Sequence, residues 1–152
     1  MRSTSLLGLN LIKKYEGLRL SSYLCPAGIP TIGYGSTRHP NGKKVLLGEK
    51  LASEKEATQL LLATLEPFEA AVNKHLPSLN QCRFDALVCF AYNVGVGALV
   101  KSTLLKKAKV NAADPSILDE FLRWNKAGGK VLSGLTNRRR EEAKLYFSLC
   151  NF

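Results

Sequence analysis

The chain has 152 residues, of which 45% are hydrophobic, and its 22 basic residues outnumber its 12 acidic ones for a net charge of +10. That length suits one domain or two small lobes, and burying about 70% of the unfolded-chain surface makes disulfides unnecessary for stability. No stretch approaches the ~20 apolar residues of a membrane span, and Met1 to Tyr15 lacks the apolar core of a signal peptide.

Leu7, Leu11, Ile12 and Tyr15 recur at helical spacing, so a helix is expected over residues 5–15, with Ser3, Thr4 or Ser5 as its cap. It should end at Glu16-Gly17, because glycine closes helices cheaply. Short β-prone pieces follow, Leu18 to Leu24 and Thr31 to Tyr34, separated by Pro26, Gly28 and Pro30. They predict a small hairpin or three-stranded sheet. Val45 to Leu47 is a candidate for one more short strand. Ser53 and Glu56 have the spacing of a capping box. An apolar stripe from Ala57 to Leu76 then predicts a long helix, interrupted by Pro67, which makes it kinked or split in two.

Asn80 is placed to cap a helix over 81–93 whose apolar face is Phe84, Leu87, Val88, Ala91 and Tyr92. The glycines of V-G-V-G break it before a short helix through Leu99–Lys107. Asp114-Pro115 signals a further helix start, running to about Trp124. A loop over 127–131 and a last helix over about 136–149 complete the chain. The 3.6-residue period dominates after residue 50, so the class is α+β with helices in the majority.

The four cysteines form no C-x-x-C pair, and with only two histidines a metal site is not expected. Cys82 and Cys89 lie about 10 Å apart along one helix, too far to bridge. All four, Cys25 and Cys150 included, read as free thiols of a reducing compartment. The basic excess is spread evenly, ten residues in 1–76 and twelve in 77–152, against six acidic residues in each half. A spread positive field favours a polyanion: nucleic acid, an anionic membrane or an acidic wall polymer.

From Tyr15 to Ser36 the only acidic residue is Glu16. A lone carboxylate where a helix hands over to a sheet suits a general acid, and equally a surface charge beside a turn. The segment E-G-L-R-L-S-S-Y followed by A-G-I-P-T-I-G-Y-G resembles the catalytic segment of the phage-type lysozymes, the endolysins of lambdoid and T-even phages. F-D-A-L-V-C-F-A-Y-N-V-G-V-G at 84–97 and R-W-N-K-A-G-G-K-V-L-S-G-L-T-N-R-R-R-E at 123–141 resemble the same family, in the same order.

The resemblance implies a lysozyme-like fold: a small antiparallel sheet lobe over about 16–52, a linking helix over about 53–76, and a helical lobe over about 77–152 with helix 5–15 packed on it. It implies Glu16 as the general acid of glycoside hydrolysis, which needs a protonated acid and usually a second carboxylate. Cys25 falls where the family carries its catalytic aspartate, and no Asp or Glu lies between 17 and 48 to replace it. Either the thiol takes over the carboxylate's part, or Cys25 is a small buried hydrophobe and the site is weakened or dead. Thr31 matches the threonine that positions the attacking water; on pattern alone it is a strand residue. Arg138 matches the arginine that pairs with the catalytic glutamate, while Arg139 and Arg140 read as a solvated helix face. Asn93 falls where relatives use a polar side chain in the saccharide cleft, or it caps the helix end beside Gly95. Ser36 stands where many relatives have histidine. His39 and His75 have no partner pattern and read as surface residues.

The implied activity is an endolysin's cleavage of the bond from N-acetylmuramic acid to N-acetylglucosamine in peptidoglycan, leading to host lysis. The alternative is a weakened or inactive peptidoglycan binder. A third reading, nucleic-acid binding through R-R-R and the lysines near 101–109, is disfavoured by the even charge spread and the lack of an aromatic-basic motif. No cofactor and no metal are implied, and a monomer without stable membrane association is expected. The protein is expected in the host cytoplasm until release to the wall, without a signal or anchor segment and with a holin as release partner by family analogy only.

Overall fold

The computed structural model describes residues 1–150. Among them are seven helices and two small antiparallel hairpins, the mostly helical α+β composition expected. The chain divides into two compact units: Ile12–Pro67, and Met1–Leu11 together with the chain from Phe68 onward.

Helix α1 spans Leu6–Glu16. It stops where expected because Gly17 takes φ 73°, a left-handed conformation that only glycine adopts cheaply, while its N–H bonds Lys13 O at 3.0 Å. Strands β1 (Arg19–Leu24) and β2 (Pro30–Gly33) then form a hairpin with Tyr23 opposite Thr31 and Leu24 opposite Pro30. Val45 to Leu47 forms no strand: only Val45 enters the core, with Ile32 and Leu60, and Leu46 and Leu47 are exposed. The segment that runs beside β1 lies further on, where Ser22 N bonds Glu49 O and Leu51 N bonds Leu20 O. Helix α2 is one continuous helix, Glu54–His75, with Pro67 inside it. Its start is a capping box in modified form: Ser53 Oγ accepts from Glu56 N, and the Glu56 carboxylate accepts from Ala52 N at 2.7 Å. Glu54 gathers Lys13 Nζ, Tyr34 OH and Thr58 Oγ1 within 2.9 Å, and these bonds, Lys13's first, hold its pKa down at about 2.

The second unit is built on α3 (Gln81–Val94), capped as predicted by Asn80, whose side chain accepts from Arg83 N at 2.9 Å. Asp85, fully buried on α3, accepts from Ser5 N at 3.0 Å and Gln81 Nε2 at 2.9 Å, which ties the start of α1 to this helix. The region expected as one helix through Leu99–Lys107 is two, α4 (Val96–Lys101) and α5 (Thr103–Val110). Ser102 separates them because it adopts extended backbone and caps α5, accepting from Leu105 N at 3.1 Å. Helix α6 covers Ile117–Leu122; Asp114 spends its carboxylate on Ser116, so the helix starts later than the Asp-Pro signal suggests. The expected loop at 127–131 is a tight hairpin, β3 (Lys126–Ala127) with β4 (Lys130–Val131), turned by Gly128 and Gly129 at φ 58° and 78°. Helix α7 (Ser133–Tyr146) packs on α3 and α6. None of the described helices is long and apolar enough to cross a membrane.

The cysteine reading needs correction. Cys82 and Cys150 form a disulfide with Cα atoms 5.7 Å apart, while Cys25 and Cys89 are free. The partners are 68 residues apart in sequence, so no spacing signal marks them; the packing of α7 on α3 brings the end of one to the start of the other. Constraining a loop of that length in the unfolded chain stabilises by about 4 kcal/mol in the chain-entropy model. Cys82→Ser should therefore lower the unfolding free energy of the oxidised protein by about that amount, and a reducing agent should bring wild type down to the variant. Equal urea midpoints for oxidised wild type and Cys82→Ser would refute the contribution.

Candidate active site

Glu16, Cys25 and Thr31 all lie in the Ile12–Pro67 unit, and the hairpin explains the placement of the last two. Cys25 is the first residue after β1. The turn Pro26-Ala27-Gly28 folds back on it: Cys25 N bonds Ile29 O at 3.0 Å and Gly28 N bonds Cys25 O at 2.8 Å. The β1–β2 register sets Thr31 one pair further in, opposite Tyr23. Cys25 is half-buried, Thr31 is buried, and Glu16 is half-buried as the last residue of α1.

The turn also tunes the thiol. Hydrogen bonding from the Ile29 backbone is the largest effect and lowers the Cys25 pKa below the ordinary thiol value; partial desolvation opposes it, and the Ala27 backbone and the Thr31 side chain add to the lowering. Thr31 has one hydroxyl proton. It donates to Ile29 O at 2.9 Å, and the same hydroxyl serves a Cys25 thiolate when that acceptor is present. The turn thus acts on the thiol through its own backbone and through Thr31.

Asn93 and Arg138 lie in the other unit, and a buried network joins them. Glu142, fully buried, accepts from Arg138 Nε at 3.0 Å through Oε2 and lies 2.8 Å from Arg139 Nε through Oε1. Arg138 Nη2 also donates to Cys89 O at 3.0 Å, and Cys89 Sγ donates to Glu142 at 3.1 Å. Arg139 Nη2 donates to Asn93 Oδ1 at 2.8 Å. Arg139 is therefore fully buried rather than part of a solvated face, because its guanidinium finds a carboxylate on its own helix; Arg140 is exposed as expected. Burial pushes the Glu142 carboxyl up while Arg139 and Arg138 pull it down, and burial pushes the Cys89 thiol well up.

Asn93 does not accept from the N–H of Gly95, which goes to Ala91 O. It borders a hollow of about 520 Å³ lined also by Trp124, Arg123 and Lys126. Ser36, the histidine position, is buried and bonded to Thr64 Oγ1 at 2.8 Å. Both histidines have partners: His39 Nε2 lies 2.5 Å from Glu49, and His75 Nδ1 3.2 Å from Lys109 Nζ. Sequence reasoning missed Glu142, although its offsets of four and three residues from Arg138 and Arg139 are those of helix-neighbour ion pairs.

The phage lysozyme family model matches residues 13–142. An endolysin of Bacillus phage B103 is 43% identical over 151 residues, a match covering 93% of this chain and 52% of that protein. The chain thus spans about half the length of the first curated relatives it matches. Among solved structures, the endolysin from Escherichia coli O157:H7 phage FAHEc1 superposes with a TM-score of 0.86 at 42% identity, covering 96% of this chain and 94% of that one. The muramidase domain of SpmX from Asticaccaulis excentricus gives 0.84 at 30% identity, covering 98% and 100%.

Removing one member of a buried ion cluster leaves its partners uncompensated, at a cost of about 3–5 kcal/mol. Glu142→Ala should lose stability on that scale in urea unfolding, whereas Arg140→Ala, exposed, should stay within about 0.5 kcal/mol of wild type. Equal effects of the two would contradict the network.

Proposed function

Because the chain belongs to the phage lysozyme family, we propose that it is an endolysin that hydrolyses the glycosidic bond between N-acetylmuramic acid and N-acetylglucosamine in bacterial peptidoglycan. The observation that carries this reading is the union, on one hairpin, of a Cys25 thiol of lowered pKa with the Thr31 hydroxyl, in the same unit as Glu16. The muramidase named among the structural relatives supports the same bond.

In this mechanism Glu16 donates its proton to the leaving glycosidic oxygen. Cys25, as thiolate, acts on the opposite side as base or nucleophile, and Thr31 offers its oxygen to the attacking water. A free thiol has a pKa of about 8.5, so near neutral pH it is mostly protonated. The turn that lowers this value raises the fraction of molecules with Cys25 ionised. Asn93, with its Trp124-lined hollow, binds saccharide, and Arg138 belongs to the buried network that holds Asn93. The net charge of +10 draws the protein to a wall rich in peptide carboxylates.

Glu16→Gln keeps shape and hydrogen bonding but has no proton to give, so release of reducing sugar from purified peptidoglycan should be abolished while circular dichroism is unchanged. Near-wild-type turnover would end the assignment.

For Cys25, iodoacetamide should react faster there than at Cys89, with loss of activity. Cys25→Ser should lose most turnover, because a serine hydroxyl hardly ionises, and Cys25→Asp should retain or raise it. Full turnover in Cys25→Ala would remove the thiol from the chemistry. An inert wild type with an active Cys25→Asp would make this chain a wall binder instead.

A further inference from the structure

The turn that carries Cys25 has a second face. Gly28, Ile29 and Pro30 form one wall of a hollow of about 430 Å³, and Arg38, Lys44 and Leu46 form much of the other. We propose that this hollow binds the carboxylate-bearing peptide stem of peptidoglycan, beside the catalytic turn. The proposal rests on the peptidoglycan reading above and adds a peptide subsite to it.

Charge and shape point to this occupant. Arg38 and Lys44 face each other across an isolated antiparallel bridge, and both are exposed. Val45 is the pin: its side chain is buried and its N–H bonds Thr37 O at 2.9 Å, while Lys44 and Leu46 on either side of it are exposed. Arg38 Nη1 donates to Gly42 O at 2.9 Å, which steadies the guanidinium and leaves further N–H donors for a ligand. Among the described residues neither cation has a carboxylate partner, and no Asp or Glu occurs from 17 to 48. The nearest carboxylate in sequence, Glu49, is already engaged by His39 and by Leu46 N. Two cations are thus held together without a counter-charge, next to exposed Ile29 and Leu46.

A ligand that satisfies both features has a carboxylate and small aliphatic groups in a short extended chain. An alanine- and glutamate-containing stem has these, whereas the N-acetylglucosamine units of the strand carry neither a charge nor an aliphatic side chain. The stem is attached to the muramic acid at the cleaved bond, and an extended chain reaches about 3.3–3.6 Å further per residue. The wall formed by Gly28–Pro30 is the same turn that hydrogen-bonds Cys25, so the subsite and the chemistry share one backbone.

The test is a heteronuclear NMR titration of the full chain with a sugar-free stem tetrapeptide. Amide shifts should concentrate at 28–30 and 38–46 and weaken as salt rises. Arg38→Gln and Lys44→Gln should each raise the dissociation constant by about tenfold, the size of one lost charge-assisted contact. The same peptide with its carboxylates amidated should bind at least as weakly as it does to the variants. Arg38→Lys, which keeps charge, should recover much of the binding and guards against misfolding of the glutamine variant. Shifts elsewhere, shifts unaltered by the variants, or equal binding of the amidated peptide would each overturn the subsite. Binding here is read without turnover, so a protein that binds the stem but releases no reducing sugar refutes the hydrolase reading and leaves the subsite standing.

Discussion

Much of the functional reading depends on one short backbone contact, the hydrogen bond from Cys25 N to Ile29 O. It closes a turn too small to leave the thiol free of its own backbone. With the turn closed, the Ile29 backbone bears on the sulfur, and the strand that resumes at Pro30 brings Thr31 to the same place. A carboxylate at this position would be ionised near neutral pH in almost any surroundings. A thiol is not, so ionisation of Cys25 depends on what the turn supplies.

The other unit solves a different problem. Asn93 ends α3 and Arg138 lies on α7, and both positions must be fixed in a helical bundle. Glu142 does this with one carboxylate shared by two guanidiniums, one of which reaches Asn93. Burying three ionised groups is expensive unless each is partnered. The buried Cys89 thiol and carbonyl supply further partners inside the same pocket. Asn93 and Arg138 are thus held in place by charge and hydrogen bonds as well as by apolar packing.

The disulfide and the Cys25 thiol place opposite demands on the surroundings. Cys82 and Cys150 are bonded, which oxidising conditions favour, while the role proposed for Cys25 needs a free thiol. Cys89, the other free cysteine, is fully buried with a raised pKa, and so makes a poor partner for exchange with Cys25. The four cysteines thus occupy three situations: one bonded pair, one buried thiol of raised pKa, and one half-buried thiol of lowered pKa.

Local chemistry was legible in the sequence wherever a residue's neighbours in the chain are also its partners. The end of α1 at Glu16-Gly17, the hairpin and its turn, the Asn80 cap and the long apolar stripe of α2 all follow from residues a few positions apart. The candidate residues Glu16, Cys25 and Thr31 came from the resemblance of one segment to the phage-type lysozymes, since local pattern alone left them open. What the sequence did not determine are relations between distant positions. Cys82 meets Cys150 across 68 residues, and Arg139 is buried because α7 packs on α3. The thiol's lowered pKa has partners near it in the chain, but it depends on backbone directions, which residue identities alone do not specify. Periodicity records which face of an element is apolar; only tertiary packing decides which polar groups that face must then satisfy.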